Sequence, residues 1–213
     1  QNLTVMANKE IIHCEGSIGS PHLLQTSGIG EASKLKDLGI DIIKDLKGVG
    51  KNLQDHLMFR PVYKVKNIET LNKKINSVFG KLLIGLEYVF KRKGPMTMGA
   101  SQLCGFAKSD PTRDTPNLQF HIQPISTDKL GGANLHDFHA FTPTVANIRP
   151  TSRGEITINS SDSKVNPKIK MNYLSTDEDR KVAADGIKLI RKIVMETNEF
   201  KKYEPEEFRP GSH

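Results

Sequence analysis

Five stretches rich in β-forming residues follow one another with no helical pattern between them, at 103–107, 118–125, 138–148, 155–159 and 168–171. Pro, Gly and Asp turns separate them, and strands joined in this way read as a mainly antiparallel sheet. Two amphipathic helices bracket the strands. The first is predicted over residues 75–93, where apolar side chains at 75, 78, 79, 82, 83, 86, 89 and 90 form one stripe that Gly94-Pro95 ends. The second is predicted over residues 176–200, with Val182, Ala183, Ile187, Ile190, Ile193 and Val194 on one face and a Ser175/Glu178 capping box at its start. Both are expected to back the sheet.

The N-terminal quarter has a different character. Residues 3–14 read as a strand, Gly16-Ser17 as a turn, and Ser20-Pro21 as the N-cap and first position of a short helix stopped at Gly28. A second short helix over 31–38 and a strand over 40–46 complete a βααβ alternation, which suggests α/β packing. After Gly48-Val49-Gly50 comes an irregular polar segment with Asn52, Gln54, Asp55 and His56, and then a strand candidate over 60–65. The fold class expected is therefore α/β plus α+β, with a boundary near residue 58 that divides the chain into 1–58 and 59–213.

Composition narrows the function. A chain of 213 residues suits one or two domains, and its 36% hydrophobic content excludes global disorder. The net charge of +7 is scattered, aromatics make up only 6%, and no stripe of the kind that binds nucleic acid is present. No apolar run approaches the ~18 to 20 residues of a membrane span. Cys14 and Cys104 form neither a disulfide framework nor a metal spacing. His136 and His139 fall in a strand-like context that points them to opposite faces, so no metal site is expected. A phosphate loop ending at Gly50-Lys51 fails because Asp45 stands where its first glycine belongs and Asn52 where Ser or Thr belongs. The dinucleotide fingerprint fails at Ser33 and at Leu53, and no Gly-x-Ser-x-Gly elbow occurs. Sequons at Asn2 and Asn159 are compatible with secretion. The start at Gln1 and the end just after a helix read as an internal piece of a longer protein.

The densest segment runs from Gly16 through Ser17, Ile18, Gly19, Ser20, Pro21 and His22 to Gly28-Ile29-Gly30. Physically, a glycine lets a backbone touch a ligand, and a helix start aims free N–H groups at an acceptor, although an ordinary βα turn would look the same. This run resembles the second signature of the glucose-methanol-choline (GMC) oxidoreductases. The following Leu38-Gly39-Ile40, Asp45-Leu46 and Val49-Gly50-Lys51-Asn52-Leu53-Gln54-Asp55-His56 are similar to the family's next block. Gly94-Pro95, the segment from Pro116 to His121, Pro150-Thr151-Ser152-Arg153-Gly154, and Pro167 with Asn172-Tyr173-Leu174 resemble its substrate-domain blocks, especially those of insect glucose-dehydrogenase-like members.

The resemblance implies part of an FAD-binding domain in 1–58 and a substrate domain in 59–213, cut before the catalytic C-terminal region. It implies FAD as cofactor, with hydride transfer from an alcohol to flavin N5 and oxygen or a quinone as electron acceptor. Cofactor contacts would fall at Gly16, Ser17, Ser20, Pro21, Gly28, Asn52, Asp55 and His56, while the catalytic residues would lie outside this chain. An isolated piece of this kind is expected to be inactive. The competing reading is a degenerate or truncated member that serves as a binding or structural protein.

Overall fold

The computed structural model describes residues 4–99, 101–129 and 134–211. In chain order the elements are α1 (Gly16–Thr26), β1 (Ile29–Gly30), α2 (Ala32–Asp37), β2 (Lys44–Asp45), β3 (Met58–Phe59) and β4 (Val62–Lys64). There follow α3 (Leu71–Asn76), α4 (Val78–Lys91), a 3-10 turn at Pro95–Thr97, β5 (Leu103–Ala107), β6 (Leu118–Gln123) and β7 (Ala140–Asn147). The last are β8 (Glu155–Thr157), β9 (Lys168–Lys170), α5 (Asp177–Glu196), α6 (Asn198–Lys201) and β10 (Glu206–Arg209). They group into two compact units. The first holds residues up to Asp55 together with Ser152–Ser175, and the second holds His56–Thr151 and Thr176 onward.

The second unit is built on a six-stranded sheet in the order β10-β4-β7-β6-β5, with β3 also paired to β7, and every pairing is antiparallel. Strand alternation explains its core. Phe141 and Val145 of β7, Leu118 and Phe120 of β6 and Tyr63 of β4 share one face and meet Val182, Ile190 and Val194 of α5. The helix comes close because Gly186 carries no side chain: a Cβ there would lie 3.1 Å from Val145 Cγ2. Thr176 caps α5, its hydroxyl accepting from the Asp179 N–H at 3.2 Å, so the cap stands one residue beyond the expected Ser175. Arg191 of α5 donates from Nε and Nη2 to both carboxylate oxygens of Glu207, at 2.8 and 2.7 Å, which ties the helix to β10.

The expected helix over 75–93 differs in two ways. It breaks at Ser77, whose extended backbone ends α3 and whose hydroxyl caps α4. None of the residues of α4 is buried, so its apolar stripe does not back the sheet.

The first unit is smaller. α1 and α2 flank the parallel pair β1 and β2, while β8 and β9 form an antiparallel pair of their own. The run Ser152–Ser175 belongs to this unit although it follows the large sheet in sequence. Leu53 and Gly154 bridge by reciprocal backbone hydrogen bonds of 3.0 and 2.7 Å. Gly50, at φ 78, lies so close to the Ile156 carbonyl that any Cβ would overlap it, and its own carbonyl accepts from the Ile156 N–H at 2.6 Å.

The expected strand over 3–14 is irregular in its described part, because no strand lies beside it among the described residues to take up its hydrogen bonds. The helix expected to begin at Pro21 begins at Gly16 instead, with Glu15 as N-cap and Pro21 inside it. Pro21 therefore supplies no N–H to the carbonyl four residues back, and the Ser20 hydroxyl turns to Glu15 Oε2 at 3.3 Å rather than capping a helix.

Candidate functional site

Most of the residues singled out by the sequence lie in the first unit. Gly16 and Ser17 open α1, whose first turn has no side-chain cap, and at Gly16 the space a Cβ would occupy is open. Uncapped N–H groups beside open space can donate to a ligand oxygen. Ser20 and Pro21 lie farther along the same helix, and Gly28 follows the helix C-cap at Ser27. Glu15 is drawn aside by Ser20 and by His13, whose Nδ1 lies 3.5 Å from Glu15 Oε2. Gln25, 6% exposed, anchors the helix: its Nε2 donates to the Pro21 and Ile156 carbonyls at 3.0 and 3.1 Å. The C-terminal end of α1 is thus held against β8 by a buried side chain.

Asn52, Gln54 and Asp55 form the loop that leaves Gly50. Asn52 sits in the left-handed region at φ 62, and its carbonyl accepts from Gln54 Nε2 at 3.5 Å. Asp55 Oδ2 accepts the Tyr173 hydroxyl at 2.5 Å. That hydrogen bond, with some burial, pushes the Tyr173 phenol up to about 12. Lys51 pairs with Glu155, and the ammonium holds the Glu155 carboxyl below its usual range. The structure therefore joins the Asn52 to Asp55 loop to the segment that carries Tyr173. His56, the next residue, is exposed and opens the second unit.

Sequence reasoning missed a second constellation, on the face of the large sheet turned away from α5. Cys104, His121 and Thr144 pair in register across β5, β6 and β7, and the neighbouring row pairs Gln123 with Thr142. Arg60 Nη2 donates to Gln123 Oε1 at 3.0 Å, and burial lowers the guanidinium's pKa. The Thr144 hydroxyl and Arg60 Nε are buried with no partner among the described residues. The strands β3, β5, β6 and β7 contain no Asp or Glu. Period-two alternation of Gln119, His121 and Gln123 was the signal for this polar face.

His136 bonds Ser126 Oγ and Asp128 through its two ring nitrogens, and His139 Nδ1 accepts from the Thr70 N–H. Both histidines are occupied structurally, and no cluster able to hold a metal occurs among the described residues. No helix among them is long and apolar enough to cross a membrane.

Two sequence models described as GMC oxidoreductase match the chain, one over residues 1–58 and one over 150–213. The oxygen-dependent choline dehydrogenase of Acinetobacter baumannii (strain AYE) is 35% identical over 208 residues, which are 98% of this chain and 37% of that protein. The Vibrio vulnificus (strain YJ016) oxygen-dependent choline dehydrogenase is 38% identical over 208 residues, with the same coverage of 98% and 37%. The chain thus spans little more than a third of the length of these relatives. Among solved structures, the formate oxidase of Aspergillus oryzae RIB40 superposes with a TM-score of 0.83 at 24% identity, over 96% of this chain and 40% of that one. A pyridoxine 4-oxidase from Mesorbium loti superposes with a TM-score of 0.71 at 23% identity, over 94% and 35%. These two likenesses establish the fold.

Proposed function

The chain belongs to the GMC oxidoreductase family, whose members bind FAD, and from that premise we propose that it is part of a flavoprotein oxidising a CH–OH donor. The observation that carries the proposal is the hydrogen bond that joins two distant segments, Asn52 to Asp55 and the Tyr173 segment, in the same unit as a helix whose first turn has no side-chain cap. Both segments come from blocks that the family models match.

The residues present fit one part of such a cofactor. The open space at Gly16 and the free N–H groups of Gly16 and Ser17 suit a carbonyl or phosphate oxygen, and Glu15 is turned away toward Ser20 and His13. FAD, when bound, supplies the hydride acceptor. The chain's own residues orient and shield it: Gly16 and Ser17 by donating backbone N–H groups, and Asn52 and Asp55 by fixing the loop that returns toward the helix. Tyr173 is a positioning residue that holds Asp55 by its hydroxyl. Ser20, Pro21, Gly28 and His56 support this arrangement from the helix and from the chain that follows it. On the substrate side, Gln123, His121 and Arg60 offer hydrogen-bonding groups on the polar sheet face, which suits a small hydroxylated molecule. The finer assignment to an insect glucose-dehydrogenase-like enzyme, with oxygen or a quinone as acceptor, belongs to the same proposal.

The test uses the full-length protein from the complete reading frame. Its visible spectrum should show stoichiometric flavin, and anaerobic addition of a glucose or primary-alcohol substrate should bleach the flavin band. Tyr173→Phe should lower flavin occupancy or slow reduction roughly tenfold, in line with the ~10- to 100-fold typical of lost supporting contacts. A full-length protein purified without flavin, which takes up none when FAD is added, would overturn the reading.

A further inference from the structure

The pairing of β3 and β4 with β7 fixes where Arg60 stands. Phe59 pairs with Val145 and Tyr63 with Phe141, so the chain between them keeps one register, which sets Arg60 opposite Thr144. Phe59 and Tyr63 turn to the core, and strand alternation therefore turns Arg60 to the other face, in a row with Thr144, His121 and Cys104.

The guanidinium there is short of acceptors. Nη2 donates to Gln123 Oε1 at 3.0 Å, Nε is buried without a partner, and Nη1 has no partner among the described residues. Gln123 is fixed as a neutral acceptor, because its Nε2 donates to Ser101 Oγ at 3.1 Å and so leaves the amide oxygen to face Arg60. No carboxylate pairs with Arg60 among the described residues, and β3, β5, β6 and β7 contain none. Glu206 and Asp128 of the same unit are engaged by other cations, Glu206 by Lys64 at 3.9 Å and Asp128 by Arg209 at 2.7 Å. A cation withdrawn from water beside one neutral partner is electrostatically unbalanced, and burial pulls its pKa down. An anion completes it, and a carboxylate matches the planar fork of N–H donors. A cationic ligand would meet a like charge, and a neutral one would leave the guanidinium unpaired.

We propose that Arg60 is a carboxylate anchor, and that the donor this protein prefers is a small hydroxy acid held by its carboxylate on the polar face of the large sheet. This rests on the flavoenzyme reading for the reaction and adds to it the class of donor. The carboxylate is a handle and takes no part in the oxidation.

The test is isothermal titration calorimetry of the full-length protein with propionate, which carries the handle without an alcohol, and with propionamide and choline as the neutral and cationic controls. Propionate should bind, and both controls should bind at least roughly tenfold more weakly. Arg60→Gln should weaken propionate binding roughly 10- to 100-fold, as the loss of a hydrogen bond between charged groups does. Arg60→Lys should recover part of that loss, since it keeps the charge without the fork. Gln123→Glu keeps the shape of the site and sets one of the protein's own carboxylates on the guanidinium, so it should weaken propionate to a similar degree with Arg60 in place. The proposal is overturned if propionate binds no better than propionamide, or if Arg60→Gln binds it as the parent does. It is equally overturned if Gln123→Glu leaves the affinity intact, which would mean that the rest of the molecule already neutralises Arg60. Gln123→Glu keeps the test decisive should Arg60→Gln fail to fold. Calorimetry needs no flavin, so the two readings fail separately: a full-length protein that binds propionate but holds no flavin defeats the flavoenzyme reading and with it the donor class, whereas one that holds flavin and shows no preference for propionate defeats this inference alone.

Discussion

α5 and α4 belong to the same unit, each has a hydroxyl cap, and each carries an apolar stripe at helical spacing, yet they meet opposite fates. α5 buries Val182, Ala183, Ile190 and Val194 against the sheet, while α4 leaves seven large apolar side chains in the open. Their charge patterns differ in parallel. α5 mixes signs along its length, with Lys181 paired to Asp185 at 2.7 Å, Arg191 to Glu207 and Arg113 of a neighbouring loop to Glu178. Lys81 and Lys91 of α4 make no ion pair among the described residues. A periodic stripe therefore says that a helix has a face to cover, and not what covers it.

The sharpest way to break the comparison is to remove the same methyls from both stripes. Ile190 is 1% exposed at the centre of the core, and Ile190→Ala should destabilise the second unit by about 3 kcal/mol, within the range for deleting buried aliphatic groups. Leu83, half exposed, should cost no more than about 0.5 kcal/mol as Leu83→Ala. Urea unfolding of the full-length protein measures both. Equal losses would mean that the stripe of α4 is as deeply buried in the whole molecule as that of α5.

A smaller effect separates the helices by charge. Arg191 holds the Glu207 carboxyl below its usual range through two hydrogen bonds, and Tyr63, whose own hydroxyl is pushed up by burial and by Glu207, lies against it. A folded-state pKa that is depressed stabilises the fold above the ordinary carboxylate value, and the contribution is lost as pH falls through the folded value. Glu207→Gln should therefore cost about 1 to 2 kcal/mol near neutral pH and nothing in strong acid, where the parent's advantage has titrated away. Lys91→Gln on α4 should leave the pH profile of stability unchanged. The check is the unfolding midpoint measured from pH 2 to 7, in steps of about one unit, for the parent and both variants. A parent and Glu207→Gln that stay equally far apart across the whole range would deny the ion pair its role.

Much of this was legible in the residues. Of the large sheet, β4, β5, β6 and β7 were predicted within a few residues and β3 and β10 were not, while β8 and β9, expected in the same sheet, pair with each other in the first unit. The absence of helical patterns between the strands carried the antiparallel order because turn-linked strands need no crossover. The stripe of α5 and its burial could also be read. Other features depend on contacts that a local pattern does not contain. A strand over 3–14 needed a neighbour to hydrogen bond, and none of the described residues provides one. Ser20-Pro21 carries the chemistry of a helix start, but the backbone turns helical at Gly16, ahead of it. The return of Ser152–Ser175 to the first unit rests on Leu53 meeting Gly154 and Tyr173 meeting Asp55, partners more than 100 positions apart. The same distance hides the hydrogen bond from Tyr173 to Asp55. Arg60 and Thr144 lay in recognised strands, but their place on the polar face required the register.

The caps supply the finest distinction between the two helices. Thr176 and Ser77 make the same capping bond, each hydroxyl accepting from an N–H three residues on at 3.2 Å and contributing about 1 kcal/mol, and the Thr176 hydroxyl also bonds that of Thr151 at 2.6 Å. What differs is how far the loss propagates. α5 is packed along β7 and tied to β10, so its first turn cannot fray without loosening the core. Thr176→Ala should therefore appear almost in full as a loss of global stability. α4 in isolation from a covering surface can fray at its start while the sheet stays intact, because local opening costs less than global unfolding where few apolar contacts are lost. Ser77→Ala should then leave the urea midpoint nearly unchanged and instead speed amide hydrogen exchange in residues 78–82 several-fold. A Ser77→Ala protein that loses as much global stability as Thr176→Ala would place α4 within the cooperative core and erase the difference between the helices.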